Sequence, residues 1–82
     1  MPPPLTYRPV RVATGSDDQD GWLVLADGCL VAVLVHLAGE EHKELRGGWF
    51  LEAGFGSCAV PAPGVFPTIE DAEAWIGEQL SK

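Results

Sequence analysis

Residues 22–37 of the chain read WLVLADGCLVAVLVHL, and this stretch decides the fold. Two apolar runs, Trp22–Ala26 and Cys29–Leu37, flank the dipeptide Asp27-Gly28. Asp-Gly between apolar runs is typical of a type I′ turn, because both central residues of that turn need a positive φ. The stretch therefore predicts a β-hairpin of two antiparallel strands.

The turn also predicts which residues of the hairpin face one another. The expected cross-strand pairs are Ala26 with Cys29, Leu25 with Leu30, Val24 with Val31, and Trp22 with Val33. Since side chains alternate along a strand, one face is expected to carry Leu23, Leu25, Leu30, Ala32, Leu34 and His36. The other is expected to carry Trp22, Val24, Ala26, Cys29, Val31, Val33, Val35 and Leu37. Both faces are apolar, whereas a sheet with one face in water alternates apolar and polar residues.

Further elements extend outward from the hairpin. Tyr7–Ala13 contains Pro9 and is expected to form an edge strand, and Trp49–Phe55 a further strand. Three segments are expected to form connections between these elements: the polar residues 14–21, the charged residues 38–48 and residues 56–63. Residues 1–6 are expected to form a proline-rich, flexible lead-in. We therefore expect one domain over residues 1–82 with an α+β fold. Its sheet would be an antiparallel three- to four-stranded β-meander with one C-terminal helix packed on one face.

The C-terminal residues predict that helix. Thr68 is placed to cap its N-terminus, and Asp71 three residues later completes a pair resembling a capping box. Apolar residues recur at the helical period and form one stripe: Ile69, Ala72, Trp75, Ile76 and Leu80. One helix can cover one face of the sheet only.

The face that the helix leaves uncovered must be covered by the loops at residues 39–48 and 56–67, or by another molecule. Several large aliphatic side chains left in water would make the chain prone to association, and two-fold dimers are the commonest oligomers. We expect a homodimer, or a protein partner, bound through this face. The interface candidates are Trp22, Leu23, Leu25, Leu30, Leu34 and Trp49.

Charge and hydropathy make nucleic acid and membrane unfavourable partners, and the N-terminal residues indicate a cellular compartment. The net charge of −7, from 5 basic and 12 acidic residues, makes nucleic acid an unfavourable partner. The longest apolar stretch is broken by Asp27-Gly28, so no membrane span is expected. The N-terminal residues do not resemble an export signal, which predicts a cytoplasmic protein whose Cys29 and Cys58 are reduced.

Motifs with catalytic or metal-binding potential are incomplete. Residues 16–27 depart from a calcium loop at the first and last ligands, and strands replace its flanking helices. The spacing of Cys29, His36, His42 and Cys58 fits no standard zinc pattern. Gly54-Phe55-Gly56-Ser57-Cys58 lacks the G-x-S-x-G pattern of a nucleophile elbow. We expect no catalytic residue, no metal, no cofactor and no enzymatic activity.

The segment Val65–Ile76 fits the pattern F-x-[ST]-x-x-[DE]-A-x-x-[WF]-[IL] and is similar to the ending of many small, uncharacterised bacterial domains with an antiparallel sheet and one C-terminal helix. Integrase arm-type and AP2-like domains share this ending and bind DNA through the sheet. The resemblance therefore implies a DNA-binding or DNA-accessory domain as one alternative function. A second alternative is a small-ligand pocket between helix and sheet, lined by Trp22, Trp49 and Trp75.

Overall fold

The computed structural model describes residues 4–13, 20–37, 47–62 and 64–82. They form one five-stranded antiparallel sheet whose strands lie side by side in chain order, followed by one helix. The elements are β1 (Leu5–Arg11), β2 (Asp20–Ala26), β3 (Cys29–His36), β4 (Trp49–Gly54), β5 (Val65–Phe66) and α1 (Ile69–Leu80). The predicted α+β fold, meander order and C-terminal helix are confirmed. The sheet has five strands where three to four were expected.

The hairpin turn has the predicted conformation. Asp27 has φ 52° and Gly28 has φ 80°, so both central residues lie in the left-handed region that a type I′ turn requires. The pairs next to the turn, Ala26 with Cys29 and Leu25 with Leu30, are also as predicted.

Beyond these pairs the predicted register is wrong, because β3 contains a bulge at Val31. Val24 pairs with Ala32 and Trp22 with Leu34, one residue later than expected in each case. A one-residue shift moves every following side chain of the strand to the other face of the sheet. Trp22 and Val24 therefore share a face with Ala32, Leu34 and His36, while Leu23 and Leu25 share the opposite face with Val33 and Val35. Since both faces of both strands are apolar, the hydrophobic pattern could not reveal the shift.

A second bulge lies on β4. Leu34 pairs with Leu51 and Val33 with Ala53, so Glu52 is the extra residue. Its exposed carboxylate lies on a part of β4 that β5 does not pair, since β5 contacts only Trp49 and Phe50. A bulge and a charge are both features that discourage edge-to-edge association.

The strand containing Pro9 is an edge strand, as predicted. β1 pairs with β2 alone in the described sheet, with Pro9 opposite Trp22. Proline lacks a backbone N–H and is tolerated in a sheet where that position faces outward. The strand begins at Leu5, so it includes Leu5 and Thr6 from the expected lead-in.

The helix packs on the face of the sheet that carries Val24 and Leu34, which we call the inner face. Thr68 Oγ1 accepts a hydrogen bond from the Asp71 backbone N–H at 3.1 Å, which confirms the predicted N-cap. Ala72 and Ile76 are fully buried against the inner face. Ile69, Trp75 and Leu80 are partly buried and pack against the same core. The short 3₁₀ helix Gly56–Cys58, which was not predicted, adds the fully buried Cys58.

Some sequence-based expectations fall outside the described residues. They concern residues 1–3 of the lead-in, residues 14–19 of the polar connection, the charged residues 38–46, and Pro63. Residues 16–19 of the pattern resembling a calcium loop and His42 of the considered zinc set lie in these segments.

Candidate functional site

The residues predicted as an interface separate into two groups in the structure. Leu23, Leu25 and Leu30 lie on the face opposite the helix, which we call the outer face. Trp22, Leu34 and Trp49 lie on the inner face. Of these, Leu34 is fully buried in the core, so its side chain is not available to a partner in this structure.

The outer face carries a partly exposed apolar surface, the outer patch. It consists of Leu23, Leu25, Leu30, Val33, Phe50 and Ala53. Phe55 directly follows β4 in an extended conformation, so alternation along the chain adds it to the same face. Leu30, Phe50 and Phe55 are 38%, 41% and 46% exposed, and these are among the largest exposed apolar side chains of the described chain. The helix lies on the other side of the sheet, so it cannot cover them. Val35, which pairs with Phe50 on the same face, is nearly fully buried, so the exposed surface extends from Leu30 near the β2–β3 turn to Phe50 beside Val35.

The inner face carries a second surface at the end of the sheet where β1 ends and β4 begins. This aromatic groove has a volume of about 510 Å³. Its lining residues are Pro9, Val10, Arg11, Asp20, Gly21, Trp22, His36 and Trp49. Trp22 and Trp49, named from the sequence, are therefore brought to one surface, together with side chains that the sequence did not single out.

Contacts between aromatic rings fix the positions of side chains in the groove. The imidazole of His36 stacks on the indole of Trp49, with ring centroids 4.6 Å apart and an interplanar angle of 27°. Tyr7 contacts Trp22 edge to face, with centroids 6.2 Å apart. Cross-strand pairing places His36 opposite Trp49 and Arg11 opposite Asp20. The bulge at Val31 brings Trp22 and His36 to the same face, and no feature of the hydrophobic pattern indicates that bulge.

Trp75 does not belong to this groove. Its ring contacts Phe66 with centroids 5.8 Å apart, between the helix and β5. The three tryptophans considered for a ligand pocket are thus divided, two in the groove and one in the helix–sheet contact.

Tyr7 lies between the groove and the helix. Burial raises the pKa of Tyr7 to about 12, and the charge of Glu73 on α1 acts in the same direction. The carboxylate also contacts the hydroxyl, but the Tyr7 hydroxyl completes no well-formed hydrogen bond within the described structure. Tyr7 therefore remains a neutral, structural side chain at ordinary pH.

Cys58 lies in an environment unlike that of a nucleophile. It is fully buried, and burial raises the pKa of its thiol, whereas an activated thiolate needs a lowered pKa. Cys29, at the hairpin turn, is exposed, and neither residue forms a disulfide.

This difference predicts unequal thiol reactivity. At neutral pH a disulfide reagent such as dithionitrobenzoate is expected to modify Cys29 rapidly and Cys58 at least about 100-fold more slowly, because Cys58 must first be exposed by opening of the fold. Cys29→Ser should remove the fast phase, and Cys58→Ser should retain it. Fast modification of Cys58 in the folded Cys29→Ser protein would contradict the burial seen here.

The described residues contain neither a cluster of metal ligands nor a helix that could span a membrane. Within residues 4–13, 20–37, 47–62 and 64–82, no three His, Cys, Asp or Glu side chains are grouped so as to hold a metal ion. In the same ranges, the helix is too short and too polar to cross a membrane.

The segment that resembles small bacterial domains forms β5, the Thr68 cap and the first turns of α1. Comparison of the chain with protein-family models, curated proteins and solved structures finds no match. In the structure the residues of the pattern form the Thr68 cap and bury Phe66, Ala72 and Ile76.

Proposed function

We propose that the protein is a small, non-enzymatic interaction module that forms a homodimer through the outer patch. The observation that carries this proposal is the exposure of Leu30, Phe50 and Phe55 on the face opposite the helix. Such a face suits sheet-on-sheet packing, in which apolar side chains of two sheets interdigitate. A two-fold axis through the patch would bring each side chain against the same surface of the second copy.

The size of the patch predicts a dimer of moderate affinity. Full burial of a large apolar side chain contributes about 1.5–3 kcal/mol, and the exposed two-fifths of Leu30, Phe50 and Phe55 contribute correspondingly less. Association itself costs about 4–15 kcal/mol. The half-buried side chains of the patch must therefore also contribute, and we expect a dissociation constant of roughly micromolar order.

The net charge of the chain distinguishes homodimerisation from DNA binding, because the two depend on salt in opposite directions. Each copy carries −7, so two copies repel one another at long range, and added salt screens that repulsion. Homodimerisation is therefore expected to strengthen with salt, whereas binding to DNA would weaken with salt. For the alternative function, DNA binding, the described strands provide only two basic residues, Arg8 and Arg11.

Sedimentation equilibrium tests the dimer. Leu30→Glu places a carboxylate on an exposed position of the patch and is expected to weaken association at least about 100-fold, because each charge would be buried unpaired in the two-fold contact. Ala74→Glu is the control, since Ala74 is exposed on α1, on the other side of the sheet from the patch. It should leave the dissociation constant unchanged.

Two results would contradict the proposal. One is a wild-type protein that remains monomeric at about 0.1 mM, well above the expected dissociation constant. The other is an equal loss of association in Ala74→Glu. Thermal melting of both variants checks that the substitutions leave the fold intact.

We propose a cytoplasmic location for this module. Support comes from the free thiols of Cys29 and Cys58, which suit a reducing compartment.

A further inference from the structure

We propose that the aromatic groove binds a proline-rich segment of a partner protein, in the polyproline II conformation and flanked by basic residues. The groove lies on the inner face, so it is separate from the outer patch. Its occupancy would give the chain a second kind of partner besides its own copy.

The lining has the chemistry that a proline-rich segment requires. Indole and imidazole rings of Trp22, Trp49 and His36 provide flat apolar surfaces on which proline rings can pack. These rings are held in place before a ligand binds, because His36 stacks on Trp49 and Tyr7 contacts Trp22 edge to face. A preformed site loses little side-chain entropy on binding, and a polyproline II segment is itself already extended. A volume of about 510 Å³ lies within the range of ordinary ligand sites.

The spacing of the rings fits the period of the ligand. Trp22 lies on β2 and Trp49 on β4, with β3 between them. Trp22 pairs with Leu34 and Trp49 pairs with His36, so the two tryptophans are also offset by two residues, about 6.8 Å, along the strands. With neighbouring strands about 4.8 Å apart, the backbone of Trp22 lies about 8.3 Å from that of His36 and about 11.8 Å from that of Trp49. One turn of polyproline II has three residues and rises about 9.3 Å. This rise lies between the two separations, so a segment running diagonally across the strands would place one proline over Trp22 and the proline three residues later over the His36–Trp49 stack.

Charge favours basic flanking residues. Arg11 and Asp20 are cross-strand neighbours within the groove, so their charges largely offset one another locally. The chain as a whole carries −7, and this field attracts a cationic segment and repels an acidic one.

The chain's own sequence contains Pro2-Pro3-Pro4, of which Pro4 directly precedes β1 at the opposite end of the sheet. Leu5 pairs with Ala26 near the hairpin turn, whereas the groove surrounds the pair of Arg11 and Asp20. The six residue steps from Leu5 to Arg11 extend about 20 Å along the strand, and three residues span at most about 11 Å. These prolines therefore cannot fill the groove of the same copy. A second copy supplying them is an outcome that the experiment below distinguishes.

Nuclear magnetic resonance of the tryptophan indole N–H groups tests the proposal with an internal control. The chain has 3 tryptophans, two in the groove and Trp75 outside it. Titration with a synthetic peptide of six prolines between two lysines is expected to shift the indole signals of Trp22 and Trp49 and to leave that of Trp75 in place. A peptide with three Gly-Ser repeats between the same lysines should shift none of them.

Variants separate the groove from the outer patch. Trp22→Leu, which keeps an apolar side chain but loses the flat ring, should weaken binding of the proline peptide at least about 10-fold, and Trp75→Phe should not. Leu30→Glu, designed to be monomeric, should bind the peptide as the wild type does. The indole signals of the unchanged tryptophans report whether each variant remains folded.

Three outcomes overturn the proposal. The first is the absence of a shift at millimolar proline peptide. The second is an equal response to the Gly-Ser peptide, or a response of Trp75 alone. The third is a shift of Trp22 and Trp49 that appears with rising protein concentration and no peptide, and that disappears when Pro2, Pro3 and Pro4 are replaced by serine; this result would assign the groove to a second copy of the chain.

Discussion

Leu34→Ala is expected to destabilise the protein by about 3 kcal/mol, within the usual range of about 2–5 kcal/mol for such core truncations. Leu34 is fully buried on the central strand β3, between its neighbours Trp22 and Leu51. Removing its branched end leaves a cavity that the flanking strands cannot fill without losing their own pairing. For a domain of this length the whole stability is about 4–12 kcal/mol, so the loss is a large fraction of it.

Leu30→Ala is the matched control. Leu30 lies on the same strand but is 38% exposed on the outer face, and its truncation should cost under about 1.5 kcal/mol. Both variants are measured by thermal and urea unfolding at concentrations where the protein is monomeric, so that loss of the dimer does not contribute. The melting temperature is expected to fall by about 12–24 °C for Leu34→Ala and by less than half of that for Leu30→Ala. Similar losses in the two variants would place both side chains on the same face and contradict the bulge at Val31.

The same pair of residues shows how far the sequence could predict the fold. The turn at Asp27-Gly28 and the cap at Thr68 are local features, set by the φ angles and side-chain oxygens of a few residues, and both were predictable. The register beyond Leu25 and Leu30 depends on contacts between distant residues, such as the backbone hydrogen bond from Phe55 to Val31 at 2.9 Å. When every residue of two strands is apolar, a register shift of one residue still places apolar side chains on both faces of the sheet. The hydrophobic pattern therefore does not distinguish the two registers.

The candidate site follows from that shift. With a regular hairpin, Trp22 and His36 would lie on opposite faces, and no groove would unite them with Trp49. The sequence indicated that Trp22 and Trp49 lie near strand ends, but Asp20, Pro9 and His36 became part of a site only through the observed register. Strand β5, of two residues, was missed because a pattern of alternation cannot be recognised over so short a length.

Gly54→Ala is expected to destabilise the protein by about 3 kcal/mol, at the upper end of the range for overpacking. A Cβ at Gly54 would collide with the backbone carbonyl of Cys58, which crosses β4 at the 3₁₀ helix Gly56–Cys58. Because the colliding atoms belong to the backbone, no side-chain rotation can relieve the contact. The 3₁₀ helix must move instead, and it would carry the fully buried Cys58 away from the core beneath α1.

Gly64→Ala separates this effect from the general effect of replacing glycine. A Cβ at Gly64 would meet no atom within 4 Å, and neither Gly64 nor Gly54 has a positive φ that would strain alanine. Alanine also has fewer unfolded conformations than glycine, so Gly64→Ala should be neutral or stabilising by up to about 1 kcal/mol. Urea unfolding should therefore shift in opposite directions for the two variants, or leave Gly64→Ala unchanged. The thiol of Cys58 should react faster in folded Gly54→Ala only, and equal unfolding midpoints would show that β4 and the 3₁₀ helix do not approach as closely as described.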